Sequence, residues 1–225
     1  MSVTRKIALD VFADSASVVL RLLFKEPQEE WTSVLLAKRS GTSVAWVNHV
    51  LNALEGMGVA ERLRAGGNSA TKLLHPGVLL KKWTDNYSFS RNELHPFYVR
   101  NEDDRRALFG HFDDAKISYA ATGYYAVSLL SGYLRGAPEM IYVHPSQESF
   151  EYNKFITDLE NRFSLLPVKK GANLILVRPY YKKGAFFDLK EHDGQKIVSN
   201  LQLYLDLYHT DQGREFIKEL GLPYA

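Results

Sequence analysis

An α+β fold follows from three features of the sequence. Helix-spaced apolar residues fill the N-terminal third, two short strand-like runs flank a glycine-rich turn at residues 65–69, and helix and strand patterns alternate from Ala120 onward. At 225 residues, with 45% hydrophobic and 12% aromatic content, the chain is long and apolar enough to bury the cores of two modest domains.

The N-terminal elements can be placed one by one. Val11, Phe12, Val18, Val19, Leu22 and Leu23 recur at helical spacing, so Leu9–Phe24 is expected as an amphipathic helix ended by Lys25-Glu26-Pro27. Trp31-Thr32 opens a second helix to about Arg39. Gly41 then supplies a turn that needs a residue free of Cβ strain, and Ser43 is a good N-cap for a third helix starting at Val44. In that helix Val44, Val47, Leu51 and Leu54 share one face with Val50 beside them, so Ala45, His49 and Asn52 point away from the core and Trp46 and Asn48 lie on the shoulders. Gly58 ends the helix, and Val59–Arg64 and Thr71–Leu74 form a hairpin around Ala65-Gly66-Gly67-Asn68-Ser69, followed by a short helix at Leu79–Trp83.

This order is that of a winged helix-turn-helix, whose second helix lies in the major groove of duplex DNA. The N-terminal turns of such a helix approach base edges most closely, which nominates Ala45, Trp46, Asn48 and His49 for sequence readout. Lys38, Thr42 and Ser43 flank them. Arg62, Arg64, Asn68 and Lys72 lie on or beside the hairpin, within reach of phosphates or the minor groove. Residues 1–84 carry 11 Lys and Arg against 7 Asp and Glu, while residues 85–225 carry 17 against 19, so the basic excess sits on this module. The expected organisation is therefore a winged helix at 1–84, a connecting segment at 85–118 with a short helix near Asp104–Phe109, and a mixed α/β domain at 119–225.

Within that last region the expected elements are helices at Ala120–Leu134 and Ser149–Phe163, strands at Met140–Val143, Leu165–Val168, Leu174–Arg178 and Ala185–Leu189, and two closing helices capped by Ser199 and Asp211.

Several classes lose their usual markers. The chain has no cysteine, hence no disulfide or thiolate metal site. Its histidines show no metal-binding spacing, and no dinucleotide, Walker or nucleophile-elbow pattern appears, so neither a metal nor another cofactor is expected and no catalytic residue is nominated. No apolar run is long enough to span a membrane, and the N-terminus lacks a signal-peptide layout, so the cytoplasm is the expected compartment.

The winged-helix segment followed by ATGYYAVSLLSGYL, GANLILVRPY and IVSNLQLYLDLYHTDQGREF resembles the AbiEi-type antitoxins of type IV toxin–antitoxin systems and related transcriptional regulators. Its most specific part is Gln202-Leu203-Tyr204-Leu205-Asp206-Leu207 followed by Gly213-Arg214. Relatives often place Pro where this chain has Asn200. The resemblance implies a non-enzymatic autorepressor that binds inverted repeats in its own promoter. It also implies a functional pairing with a nucleotidyltransferase-like toxin without a stable complex.

Alternatives from the residues remain open at this point. Asp188-x-Lys190, joined by Asp158 or Glu160, has the makings of a metal-dependent nuclease site for which the winged helix would be the targeting arm. A ligand-sensing regulator would instead need an apolar pocket in the second domain. Asp206 and Arg214 suit an ion pair between the closing helices, and the many tyrosines of the second domain suit a partner surface. An inverted repeat favours a dimer, but no dimer helix is visible, so monomers binding side by side remain open.

Overall fold

The computed structural model describes residues 10–65, 68–132, 136–145 and 151–219, without the side chains of residues 64, 65, 68, 211 and 219. Two compact units divide between Tyr87 and Ser88.

In the first unit, α1 (Asp14–Lys25), α2 (Ser33–Ser40) and α3 (Val44–Gly56) pack on a three-stranded antiparallel sheet of β1 (Trp31–Thr32), β2 (Ala60–Ala65) and β3 (Asn68–Leu73), and α4 (Pro76–Asn86) follows. The sheet order is β1-β3-β2, an arrangement consistent with a winged helix. Trp31 and Thr32, expected in a helix, pair instead with Thr71 and Ala70, and Thr32 caps α2 by accepting from the Leu35 amide. A β-branched residue that both closes a strand and caps a helix ends one element and starts the next. Gly41 takes a left-handed φ of 65° and Ser43 accepts from the Trp46 amide, so the turn and the start of α3 are as expected. The helix ends at Gly56, with Gly58 at φ 70° leading into the hairpin.

The core of this unit joins Val19, Leu20, Leu23, Leu36, Val47, Leu51, Leu54, Leu79 and Trp83, all fully buried. Each such aliphatic side chain contributes about 1.5–3 kcal/mol by burial. Arg21 is buried with its guanidinium 5.2 Å from the Trp83 ring centroid, which lets a charge sit in the core against a π face.

The second unit is a seven-stranded mixed sheet in the order β7-β4-β8-β6-β5-β10-β9. Its strands are β4 (Glu93–Tyr98), β5 (Ser118–Ala121), β6 (Glu139–His144), β7 (Leu166–Pro167), β8 (Leu174–Arg178), β9 (Lys190–His192) and β10 (Gln195–Ile197). The β6–β8 and β5–β10 pairs are parallel and the others antiparallel. Aromatic contacts locate α5 (Glu102–Asp114) and α7 (Tyr152–Arg162) on one face: Phe109 and Phe112 of α5 meet Tyr119, and Tyr152 of α7 meets His95. The opposite face carries Tyr142, which receives α8 (Asn200–Leu207). Helix α6 (Gly123–Ser131) leads from β5 toward β6, and α9 (Asp211–Glu219) follows α8.

Four expectations differ from the structure. Residues 85–118 are no connector, because β4, α5 and the start of β5 lie within them, and β4 is an interior strand of the sheet. The stretch expected as one helix from Ala120 is a strand, a turn at Gly123 (φ 57°) and then α6. Ala185–Leu189 is not a strand: Gly184–Phe186 is a single 3-10 turn, and the chain enters β9 only at Lys190, after Asp188 at φ 57°. Ser199 caps α8 as expected, but the amide of Gly213 at the start of α9 is received by the Thr210 hydroxyl.

Candidate nucleic-acid interface

Alternation along β2 decides where its arginines go. Ala60 and Arg62 oppose Leu73 and Thr71, so they share the sheet face that also carries buried Trp31, whereas Lys72 lies on the other face opposite Glu61. Arg62 and Lys72, expected in one phosphate-facing cluster, are therefore split. The side chains of Arg64 and Asn68 lie outside the described residues.

Because Arg62 starts from the core-side face, it reaches over the helices. Its Nη1 donates to Asn52 Oδ1 at 2.9 Å, and its Nη2 donates to Asn48 Oδ1 and, at 3.4 Å, to Ser33 Oγ. Ser33 Oγ in turn donates to Asn48 Oδ1 at 2.8 Å. One guanidinium thus ties the first turn of α2, the middle of α3 and the wing together, which the planar fork of arginine is suited to do. Ser33 belongs to this constellation although it does not stand out in the sequence, and Asn52, expected on the exposed face of the helix, joins it. The register of Arg62 against Thr71 is the signal that points to them.

The remaining candidates fall around α3. Ala45 and His49 are exposed, as is Lys38 on α2; Thr42 is half-buried with its hydroxyl 2.7 Å from that of Ser40; Ser43 is committed to its cap. Trp46 is half-buried, and its Nε1 is shielded from solvent with no hydrogen-bond partner among the described residues. Val44, expected in the core stripe, is 40% exposed, while Val47, Val50, Leu51 and Leu54 are fully buried. Val44 occupies the first helical position, ahead of the turns whose stripe enters the core.

The electrostatics of this surface are one-sided. From Trp31 through Leu54 the chain has no Asp or Glu, and Lys38 stands free of any described ion pair. Arg39 is engaged elsewhere, 3.3 Å from Glu26 and stacked on Trp31.

In the second unit Asp206 is buried, and its carboxylate accepts from Tyr142 Oη at 2.9 Å, Gln202 Nε2 at 2.7 Å and Thr122 Oγ1. Neutral donors from β6, α8 and the β5–α6 turn therefore meet the carboxylate. A Cβ at Gly213 would run into the Thr210 hydroxyl and the Leu207 carbonyl oxygen, so α8 and α9 approach too closely for any other residue. Asp206 and Gly213 of the most specific motif thus act in packing.

The tyrosines are largely spent inside the unit: Tyr142, Tyr181 and Tyr204 are buried, Tyr124 donates to Thr210 and Tyr125 to Gln195. Asp188 is exposed in its turn, and Lys190 Nζ donates to Asn200 Oδ1 at 2.8 Å. Among the described residues no group of three His, Cys, Asp or Glu side chains is placed to hold a metal, so the donor set of the nuclease alternative is not assembled there. An open cleft of about 250 Å³ lies beside Phe109, Tyr119 and Ile141. At its rim Lys196 donates to Asp113 at 2.7 Å and Tyr119 Oη donates to the same carboxylate, so polar groups interrupt a lining that is otherwise mostly apolar.

Residues 72–217 match a family described as transcriptional regulator, AbiEi antitoxin, type IV toxin–antitoxin system. The chain belongs to that family. No curated protein and no solved structure gives a significant match. The AbiEi match covers the end of β3, α4 and most of the second unit, and so includes Asp206 and Gly213 but not α2 or α3. As a member of the AbiEi antitoxin family the protein is a transcriptional regulator of a toxin–antitoxin system, and no described helix is long and apolar enough to cross a membrane.

Proposed function

We propose that this AbiEi-family protein represses its own promoter by laying α3 into the major groove of an inverted repeat, and that it acts in the cytoplasm by binding, without a catalytic cycle. The observation that carries the proposal is the exposed surface formed by the first turns of α3 and the last turn of α2, within a stretch free of carboxylates from Trp31 through Leu54, where Ala45 and His49 project and Lys38 adds a cation. Base contact falls to Ala45, Asn48, His49 and Trp46, and backbone contact to Lys38, Thr42 and Ser43, with Lys72, Arg64 and Asn68 at the wing. Arg62 leaves the phosphate group because its fork is engaged by Asn48 and Asn52. The second unit supports antitoxin action against a nucleotidyltransferase-like toxin without a stable complex.

Fluorescence anisotropy on the duplex upstream of the protein's own reading frame tests the DNA half. Saturable binding stronger than to a scrambled duplex, weakened when His49 or Ala45 is replaced by Glu, is expected. Equal affinity of the wild type for both duplexes, or binding untouched by either substitution, refutes it. For the antitoxin half, co-expression with the adjacent nucleotidyltransferase-like gene is expected to restore growth without co-purification.

A further inference from the structure

We infer that Arg62 is a positioning residue that fixes the amide of Asn48 with its oxygen inward, so that α3 offers the major groove a hydrogen-bond donor at this position and no acceptor. The inference rests on the proposed DNA binding and names what one of its residues can recognise.

An arginine can only donate, so the side-chain atom of Asn48 that faces Arg62 is the carbonyl oxygen. The same oxygen receives Ser33 Oγ at 2.8 Å, which fills both of its lone-pair directions. Nδ2 is left on the other side of the amide with two protons, and Asn48 is half-buried, so this group is its only polar contact toward solvent. A free asparagine reads adenine with one donor and one acceptor at once, N7 receiving and N6 donating. Asn48 as held here has no acceptor to spare. It matches base edges that accept, namely guanine N7 and O6, adenine N7 or thymine O4, and it meets the amino group of cytosine donor to donor. The Arg62 fork is kept in place by Asn52, whose Oδ1 takes the second nitrogen at 2.9 Å. A phosphate contact by Arg62 would require breaking these bonds.

The two roles of Arg62 separate experimentally, because a phosphate contact depends on charge and the clamp depends on the fork. A duplex enriched by the wild-type protein from a randomised library, and a scrambled duplex, are titrated with wild type, Arg62→Ala and Arg62→Lys over a range of salt concentrations. With Arg62 as a positioning residue, both variants lose about tenfold or more on the enriched duplex, as expected for one displaced base contact. They bind the scrambled duplex as the wild type does, with an unchanged salt slope. Asn48→Ala then adds little further loss in the Arg62→Lys background, since the two act as one unit. Arg62→Lys retaining wild-type preference, or Arg62→Ala weakening both duplexes equally with a salt slope lower by about one, overturns the inference and makes Arg62 a phosphate contact. A wild-type protein that enriches no sequence refutes the DNA-binding proposal itself, a different outcome from either. Thermal melting of the variants separates loss of the clamp from loss of the fold.

Discussion

Replacing Asp206 is the sharpest test of how the second unit holds together. The Asp206→Ala substitution leaves three buried donors facing a void: Tyr142 Oη, Gln202 Nε2 and Thr122 Oγ1. An orphaned buried polar group costs about 1–3 kcal/mol, and since hydroxyl groups can rotate toward other acceptors, a total near the lower bound, about 3–5 kcal/mol, is expected. Asp206→Asn keeps an acceptor for Tyr142 and Gln202 and turns an amino group toward Thr122, whose hydroxyl oxygen can accept; about 1–2 kcal/mol is expected. For a unit spanning residues 88–222, each kcal/mol moves Tm by about 3–5 °C, so Asp206→Ala is expected to melt roughly 10–20 °C lower and Asp206→Asn only about 5 °C lower. Differential scanning calorimetry of the full chain reads both. Alanine and asparagine variants melting together, close to wild type, would refute the view of Asp206 as the hub joining β6, α6 and α8.

Gly213→Ala forces a Cβ against the Leu207 carbonyl, an obstacle that cannot rotate away, so overpacking of about 1–3 kcal/mol is expected, read as faster proteolysis within α9. Ser43→Ala removes the cap of α3 and is expected to lower the stability of the first unit by about 1 kcal/mol in urea denaturation, whereas Ser43→Thr keeps a capping hydroxyl and retains most of that stability. Burial holds the imidazoles of His95 and His111 below their ordinary value of 6.5, aided at His111 by Arg162 and opposed at His95 by Glu93. The unfolded chain therefore takes up these protons first as pH falls, so their contribution is complete above 6.5 and is lost as pH drops through that value toward the lower folded ones. A His95→Asn, His111→Asn protein should show a flatter fall in urea midpoint across this window than wild type; an identical slope would count against the assignment.

The parts of the fold governed by local chemistry are legible in the sequence. Gly41 and Ser43 announce the turn and the start of α3, and the stripe of Val47, Val50, Leu51 and Leu54 fixes which way the helix faces. Elements that depend on distant partners are not. β4 contains Pro96, which reads as a break, yet the strand survives because its neighbour β7 pairs only Phe97 and Tyr98, leaving the position of the missing N–H unclaimed. Trp31-Thr32 becomes a strand through β3, and Lys190–His192 through β10, neither of which a single segment reveals. Within the candidate interface the faces of α3 are readable, whereas the fate of Arg62 is not, because it depends on the side of the wing sheet from which the arginine departs. Asp206 illustrates the same limit: an acid in the closing helices suggests an ion pair, whereas the hydroxyls its carboxylate receives come from β6 and from the β5–α6 turn, both distant in sequence.

The order of strands in the larger sheet bears on how the chain emerges from the ribosome. β4 must wait for β8, since Glu93 pairs with Arg178, whereas every strand of the small sheet has been synthesised by Leu73. Long-range pairings form slowly and late. A nascent chain can therefore complete its helix-turn-helix while β4 is still an unpaired edge, so the interval between the two events is when the larger unit most needs protection from association with other chains.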